Sequence, residues 1–290
     1  MADFIVLQHK DNDKKMVWGG KTLKAAPEYT IKSLQNDLKS VGVATGTADG
    51  DFGGKTRKAV KLFQWACANA TAYAKNNSNI TRTVKSAISV TGKLDKATSD
   101  ELKTWVSNKQ ITTGDLVIVA FSEFGKIEKS SGFKKIASTS VLENEIIISS
   151  GALQLLKDLN SQAKAKKVTI KINQAFRVHG VKVTGAVVPP ASKSQHLIGH
   201  AIDCNIVDGD NWNNIKTFKN NKASDNAKKL IKKLKELSYR WGGDFTKVDT
   251  PHFDKKLSST EFSYDAKFFF NQRMVSESQA IPKKTIPKEA

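Results

Sequence analysis

Apolar residues recur every three or four positions in TIKSLQNDLKSVGV, where Ile31, Leu34, Leu38 and Val41 fall on one side of a helix. Thr30 stands where an N-cap is needed and Gly42 where a helix stops. The glycine-rich run ATGTADGDFGG predicts a turn. KTRKAVKLFQWAC follows as a second amphipathic helix with Ala59, Val60, Phe63, Ala66 and Cys67 on its packing side. In VTGKLDKATSDELKTWVSN, a turn at Gly92 and a cap at Asp95 or Thr98 precede a third helix that buries Leu102, Trp105 and Val106.

A different pattern begins near Leu142. SGALQLLKDLNSQA reads as a helix with Leu153, Leu156 and Leu159 on its apolar side. KKVTIKINQAF alternates through Val168, Ile170 and Ile172, the period of a half-buried strand, and AIDCNIV alternates again. A helix over Ala223 to Leu237 offers Ala227, Leu230, Ile231 and Leu234 to the resulting sheet. The expectation is an all-α three-helix domain over 25–108 and an α+β domain with a small antiparallel sheet over 142–274. Residues 109–141 are expected to form a connector packed on the second domain, with ITTGDLVIVAFSEFG fitting helix or strand. Residues 275–290, ending in IPKKTIPKEA, are expected to form a flexible tail because prolines and charges leave little to bury.

Charge narrows the partners. The 290 residues carry 47 basic against 28 acidic side chains, a formal +19, which predicts attraction to nucleic acid, anionic lipid or an anionic cell envelope. No compact basic and aromatic pattern for stacking single strands is present, so a specific nucleic-acid partner is not expected. Cys67 and Cys204 fall in different predicted domains, which excludes a disulfide scaffold. The opening MADFIVLQHKDNDKKMVWGG lacks the continuous apolar core of an export signal, and no run approaches the ~20 apolar residues that span a bilayer. Synthesis in the cytoplasm, as a monomer, is the expectation.

The chemistry concentrates in SKSQHLIGHAIDCNIVDGD and YRWGGDFTKVDTPHFDKK. Gly199 allows the chain to fold back between His196 and Asp203, and His252 supplies a third donor. Two imidazoles and a carboxylate suit a catalytic zinc that keeps one position open and lowers the pKa of water bound there towards ~7. Asp249, three residues before His252, is placed to take a proton from that water, and Pro251 stiffens the link between them. Cys204 is expected in the core, since adjacent strand residues face opposite ways. Glu123 lacks the partner carboxylate that sugar-cleaving acids need.

Two resemblances rest on these residues. Leu34, Gln35, Leu38, Gly42, the Asp49–Gly53 turn, Thr56, Ala59, Val60, Phe63 and Gln64, then Gly92, Leu94, Asp95, Thr98 and Leu102, resemble the peptidoglycan-binding domain of bacteria and phages. The polar stretch from Asn69 to Ser89 replaces that family's short link. The resemblance implies a peptidoglycan partner, with Asp49, Asp51, Thr56, Arg57 and Gln64 as the residues expected to face it. Ser194, His196, Gly199, Ala201 and Asp203, then Trp241–Asp244 and Asp249–Phe253, resemble the zinc D-Ala-D-Ala carboxypeptidase and L-alanyl-D-glutamate endopeptidase family. That implies one zinc per chain on His196, Asp203 and His252, Asp249 as base, and Arg177 binding a substrate carboxylate or the developing oxyanion. Ser194, Gln174, His200 and Asp244 are expected to support the site by hydrogen bonds around the ligands. Asp at 249 in its WGGDF context looks more like the L-Ala-D-Glu endopeptidase branch and leaves the D-Ala-D-Ala carboxypeptidase reaction open; a non-catalytic peptidoglycan-binding virion protein is the other alternative. The two domains together resemble a phage endolysin, made in the host cytoplasm and acting on the periplasmic wall at lysis.

Overall fold

In the computed structural model, which describes residues 4–43, 46–69, 88–133, 144–181, 191–258 and 260–286, the chain divides into two units, Met1–Thr113 and Gly114–Ala290. The first holds a two-stranded antiparallel ribbon, β1 (Val17–Trp18) and β2 (Lys21–Thr22), and three helices, α1 (Ile31–Ser40), α2 (Gly54–Asn69) and α3 (Lys96–Ser107). Thr30 caps α1 by accepting from the Ser33 amide, and Asp95, rather than Thr98, caps α3 by accepting from the Thr98 amide. Ile31, Leu34, Leu38, Phe63 and Leu102 are fully buried, and Phe63 meets Trp105 edge to face at 5.3 Å.

Residues ahead of position 25 belong to this same core. Leu7 bridges Leu94, and Leu7 and Trp18 are buried. The Asp13 carboxylate accepts from the Trp18 indole at 2.8 Å and from the amides of Ile31 and Lys32 at 3.0 and 2.9 Å, serving helix α1 from 18 residues upstream. Most of the Asn69–Ser89 stretch lies outside the described residues.

The second unit comprises β3 (Leu116–Ala120), β4 (Ile127–Lys129), β5 (Glu145–Ser149), α4 (Leu153–Ala165), β6 (Thr169–Gln174), β7 (Ala201–Asp208), β8 (Asn211–Asn213), α5 (Ile215–Lys219), α6 (Asp225–Glu236), β9 (Arg240–Trp241), β10 (His252–Asp254) and α7 (Phe262–Ser276). The main sheet runs β4-β6-β7-β10-β9, with β8 on the end of β7. It is mixed, not antiparallel as expected, because β4 pairs with β6 in parallel. The stretch read as connector thus supplies β4 to this sheet and β3 to an antiparallel pair with β5. Leu116 to Val119 are all buried, and such a run on a short strand carries no alternation to mark it as strand.

Helices α4 and α6 cover one sheet face. Leu155, Leu156, Leu159, Leu230 and Leu234 share a core with Ile170, Ile172, Ile202, Cys204, Ile206 and Phe253. Cys204 is buried there as expected, and burial raises its thiol far above the usual range. The other sheet face carries Asn173, Asp203, Asn205 and His252.

The C-terminal residues correct a second expectation. Ile118 donates to Pro282 O and accepts from the Lys284 amide, Ile286 is buried, and Lys283 pairs with Glu145 at 2.7 Å. Residues 282–284 therefore pair with the free edge of β3, whose exposed N–H and C=O groups call for a partner. Glu123, set aside as an acid, accepts from the Ile286 amide at 3.0 Å.

Candidate active site

Strands β7 and β10 pair so that His252 lies directly opposite Asp203. His196 reaches the same point from a single 3-10 turn, Gln195–Ile198, whose start is capped by Ser194. That turn ends at Gly199 with φ +73°, a left-handed conformation, and a Cβ there would strike the Ser149 amide. Ser194 thus supports the site through the backbone of His196, to whose amide its Oγ is the acceptor at 3.3 Å.

Hydrogen bonds fix both imidazoles. His196 Nδ1 lies 2.6 Å from Ala175 O, which can only accept, so Nδ1 carries the proton and Nε2 presents its lone pair. His252 Nε2 lies 3.0 Å from the Asp254 carboxylate, which leaves Nδ1 as the inward-facing donor atom. His196 Nε2, His252 Nδ1 and Asp203 Oδ1 then stand 3.1, 3.1 and 3.2 Å apart. Three electron-pair donors aimed at one point suit a cation. A tetrahedral ion with bonds of about 2.0–2.1 Å separates its ligand atoms by about 3.3 Å, close to these spacings. These three residues form a group able to hold a metal ion, and the donor set fits zinc.

The electrostatics agree with a site built around positive charge. Burial alone would raise Asp203, but the imidazoles of His196 and His252 override it and hold the carboxyl far below the usual range. Burial would lower His252, yet hydrogen bonds and charge from Asp203 and Asp254 push it up to about 9 in the absence of a metal.

Asp249 sits on the turn between β9 and β10, half-buried, with its backbone tied to the site: its N–H donates to Gly242 O at 2.8 Å and its C=O accepts from the His252 amide at 3.0 Å. Any Cβ on residue 242 would run into Asp249 O, so glycine there sets how close the two segments approach. Burial first, and then the charge of Asp203, raise the Asp249 carboxyl above its ordinary value.

Residues 189–255 match a family model described as D-alanyl-D-alanine carboxypeptidase, and the ligand cluster falls inside that span. The second unit is a zinc metallopeptidase. Residues 28–67 match a model described as a peptidoglycan binding domain. No curated protein matches the chain.

The remaining expected residues divide. Arg177 donates its backbone N–H to His196 O at 3.0 Å; burial lowers its guanidinium, while Asp203 and Tyr264 act in the opposite direction. Gln174 is buried on β6 beside a bulge and opposite Asp203. His200 does not hydrogen-bond a ligand: its ring bridges Ser149 Oγ at 3.2 Å and Lys255 O at 3.0 Å, within a buried group that includes Asp115, Lys267 and Asn271. Asp244 is exposed and pairs with Lys235 at 2.7 Å, so it too lies outside the ligand shell. In the first unit Asp49, Asp51 and Arg57 are exposed. Thr56 and Gln64, expected to face a glycan, are instead buried fasteners. The Gln64 amide bonds Lys93 O, Thr98 Oγ1 and the Gly92 N–H, and Thr56 Oγ1 bonds Gln35 and Asp51 O. Their side chains are consumed in holding the two turns.

Asp254 and Arg240 were missed. Asp254 is fully buried, orients His252, and is gripped by Arg240 through Nε at 2.8 Å and Nη2 at 2.5 Å. The signal was present in the strand period, because residues 252 and 254 of one strand share a face.

Proposed function

We propose that this chain cleaves the stem peptides of bacterial peptidoglycan, and that the D-alanyl-D-alanine carboxypeptidase reaction is the first reading. The observation that carries it is the convergence of His196, Asp203 and His252 inside the segment that matches the carboxypeptidase model. The peptidoglycan-binding match in the first unit points to the same polymer.

One zinc per chain, when bound, would supply Lewis acidity towards the scissile carbonyl and the attacking water. Asp249, beside the ligands and with its carboxyl raised above the ordinary value by burial, is suited to accept the proton of that water and return it to the departing amine. Arg177 keeps a cationic fork near Asp203, suited to a terminal carboxylate or to oxygen that gains charge during attack. Arg240 and Asp254 hold the His252 ring in one orientation throughout.

A second reading, endopeptidase cleavage between L-Ala and D-Glu, is favoured by Asp249 following the Trp241–Asp244 block. An endolysin acting at host lysis is the setting that would accompany it. Mass spectrometry of purified wall fragments digested by the zinc-loaded protein, against a chelated control, separates the readings. Release of terminal D-Ala is expected. A new D-Glu amino terminus would move the assignment to the endopeptidase, and intact peptides across wall types would reject both.

A further inference from the structure

On the sheet face opposite the ligand cluster, beside edge strand β9, lies a cavity of about 500 Å³, within the usual range for small-ligand sites. Its separation from the metal cluster follows from strand alternation. Trp241 pairs across with Phe253, which points into the core, whereas His252 and Asp254 point the other way.

The lining combines three kinds of group. Phe218 and Trp241 meet edge to face at 5.3 Å, and the Trp241 indole N–H is tied to Thr250 O at 2.8 Å, so the ring is held in place. Ile231 and the exposed Val248 extend this apolar surface. Lys219, Lys228, Lys232 and Lys235 line the same cavity. Lys235 is paired with Asp244 and Lys228 with Asp225, but Lys219 and Lys232 make no ion pair among the described residues. Thr250 also lines it, is only 4 % exposed, and has a hydroxyl without a hydrogen-bond partner among the described residues.

We propose that this cavity binds an anionic saccharide, a sugar unit carrying a phosphate or a carboxylate. The fixed indole and its apolar neighbours suit the C–H face of a sugar ring, and Lys219 and Lys232 supply the charge complement. The choice of a saccharide over other anions rests on the peptidoglycan reading. Binding there needs no turnover, so a failed peptidase assay leaves it standing.

The test uses the full chain labelled with ¹⁵N at indole nitrogens, with the Trp241 resonance assigned from W241F. N-Acetylglucosamine 1-phosphate and N-acetylmuramic acid are titrated beside neutral N-acetylglucosamine and inorganic phosphate. At least one acidic sugar is expected to shift the Trp241 signal and to bind tenfold or more tighter than the neutral sugar. K219E/K232E, whose substitutions are both on exposed positions, should lose that preference at an unchanged melting temperature. Preference for the phosphosugar would indicate a phosphate-bearing wall polymer, and preference for the muramic acid the glycan strand itself. Equal binding of acidic and neutral sugars, an equal shift with inorganic phosphate alone, or full binding by K219E/K232E would overturn the proposal.

Discussion

At the scale of single residues, the site depends on who holds the proton and who holds the ring. Asp249→Asn keeps the size of the side chain and removes its basicity. We expect roughly a 10²–10⁴-fold fall in kcat with zinc content unchanged by elemental analysis, since general bases contribute about that much. Asp254→Asn should act differently, loosening metal affinity about 10–100-fold as His252 loses its anchor, with a competing chelator as the readout. His200 makes a separate prediction. Burial, then the charge of Lys267, lower its pKa from 6.5 to about 4, so the folded state keeps it neutral while the unfolded chain takes up a proton. Its contribution to stability is present above pH 6.5 and lost as pH falls towards 4, worth roughly 3 kcal/mol over that window. Urea titrations of metal-free protein between pH 4 and 7.5 should show a shallower acid slope for His200→Gln than for the wild type; parallel slopes would refute the assignment.

At the scale of elements, short segments are held by specific close approaches. Gly242→Ala would push the 242–249 turn apart, and we expect lost activity together with weaker zinc binding because Asp249 and His252 are both hung on that turn. The segment after α7 is an added edge to β3. Removing residues beyond Gln279 would uncover the Ile118 edge and take away the buried Ile286, lowering the melting temperature of the second unit by an amount corresponding to about 2–3 kcal/mol of lost burial. The sequence was easiest to read where elements are amphipathic: α1, α3, α4, α6, β6 and β7 follow their apolar periods closely. It was hardest where an element is buried on all sides, as in β3, or gains its structure from a partner far along the chain, as in residues 282–284. Nothing local to IPKKTIPKEA signals the free edge at Ile118, 165 residues before Lys283.

At the scale of the whole molecule, each unit has its own core, so calorimetry should resolve two transitions, and a chelator should lower only the one belonging to Gly114–Ala290. A single transition that shifts as one would contradict that independence. The sequence alone determined the ligand identities, because His196, Asp203 and His252 sit in spaced blocks whose residue types leave few other chemistries. It also determined the three helices and the alternation that sends Cys204 inward and Asp203 outward, since period is a local property of the chain. Tertiary structure decided what local pattern cannot carry. It took Thr56 and Gln64 from the glycan-facing set into turn-holding bonds, gave the expected supporting residues His200 and Asp244 partners other than the ligands, and brought Arg240 onto Asp254 behind His252. Each of these depends on which distant segment a side chain meets, and that is fixed only when the strands pair and the helices close over them.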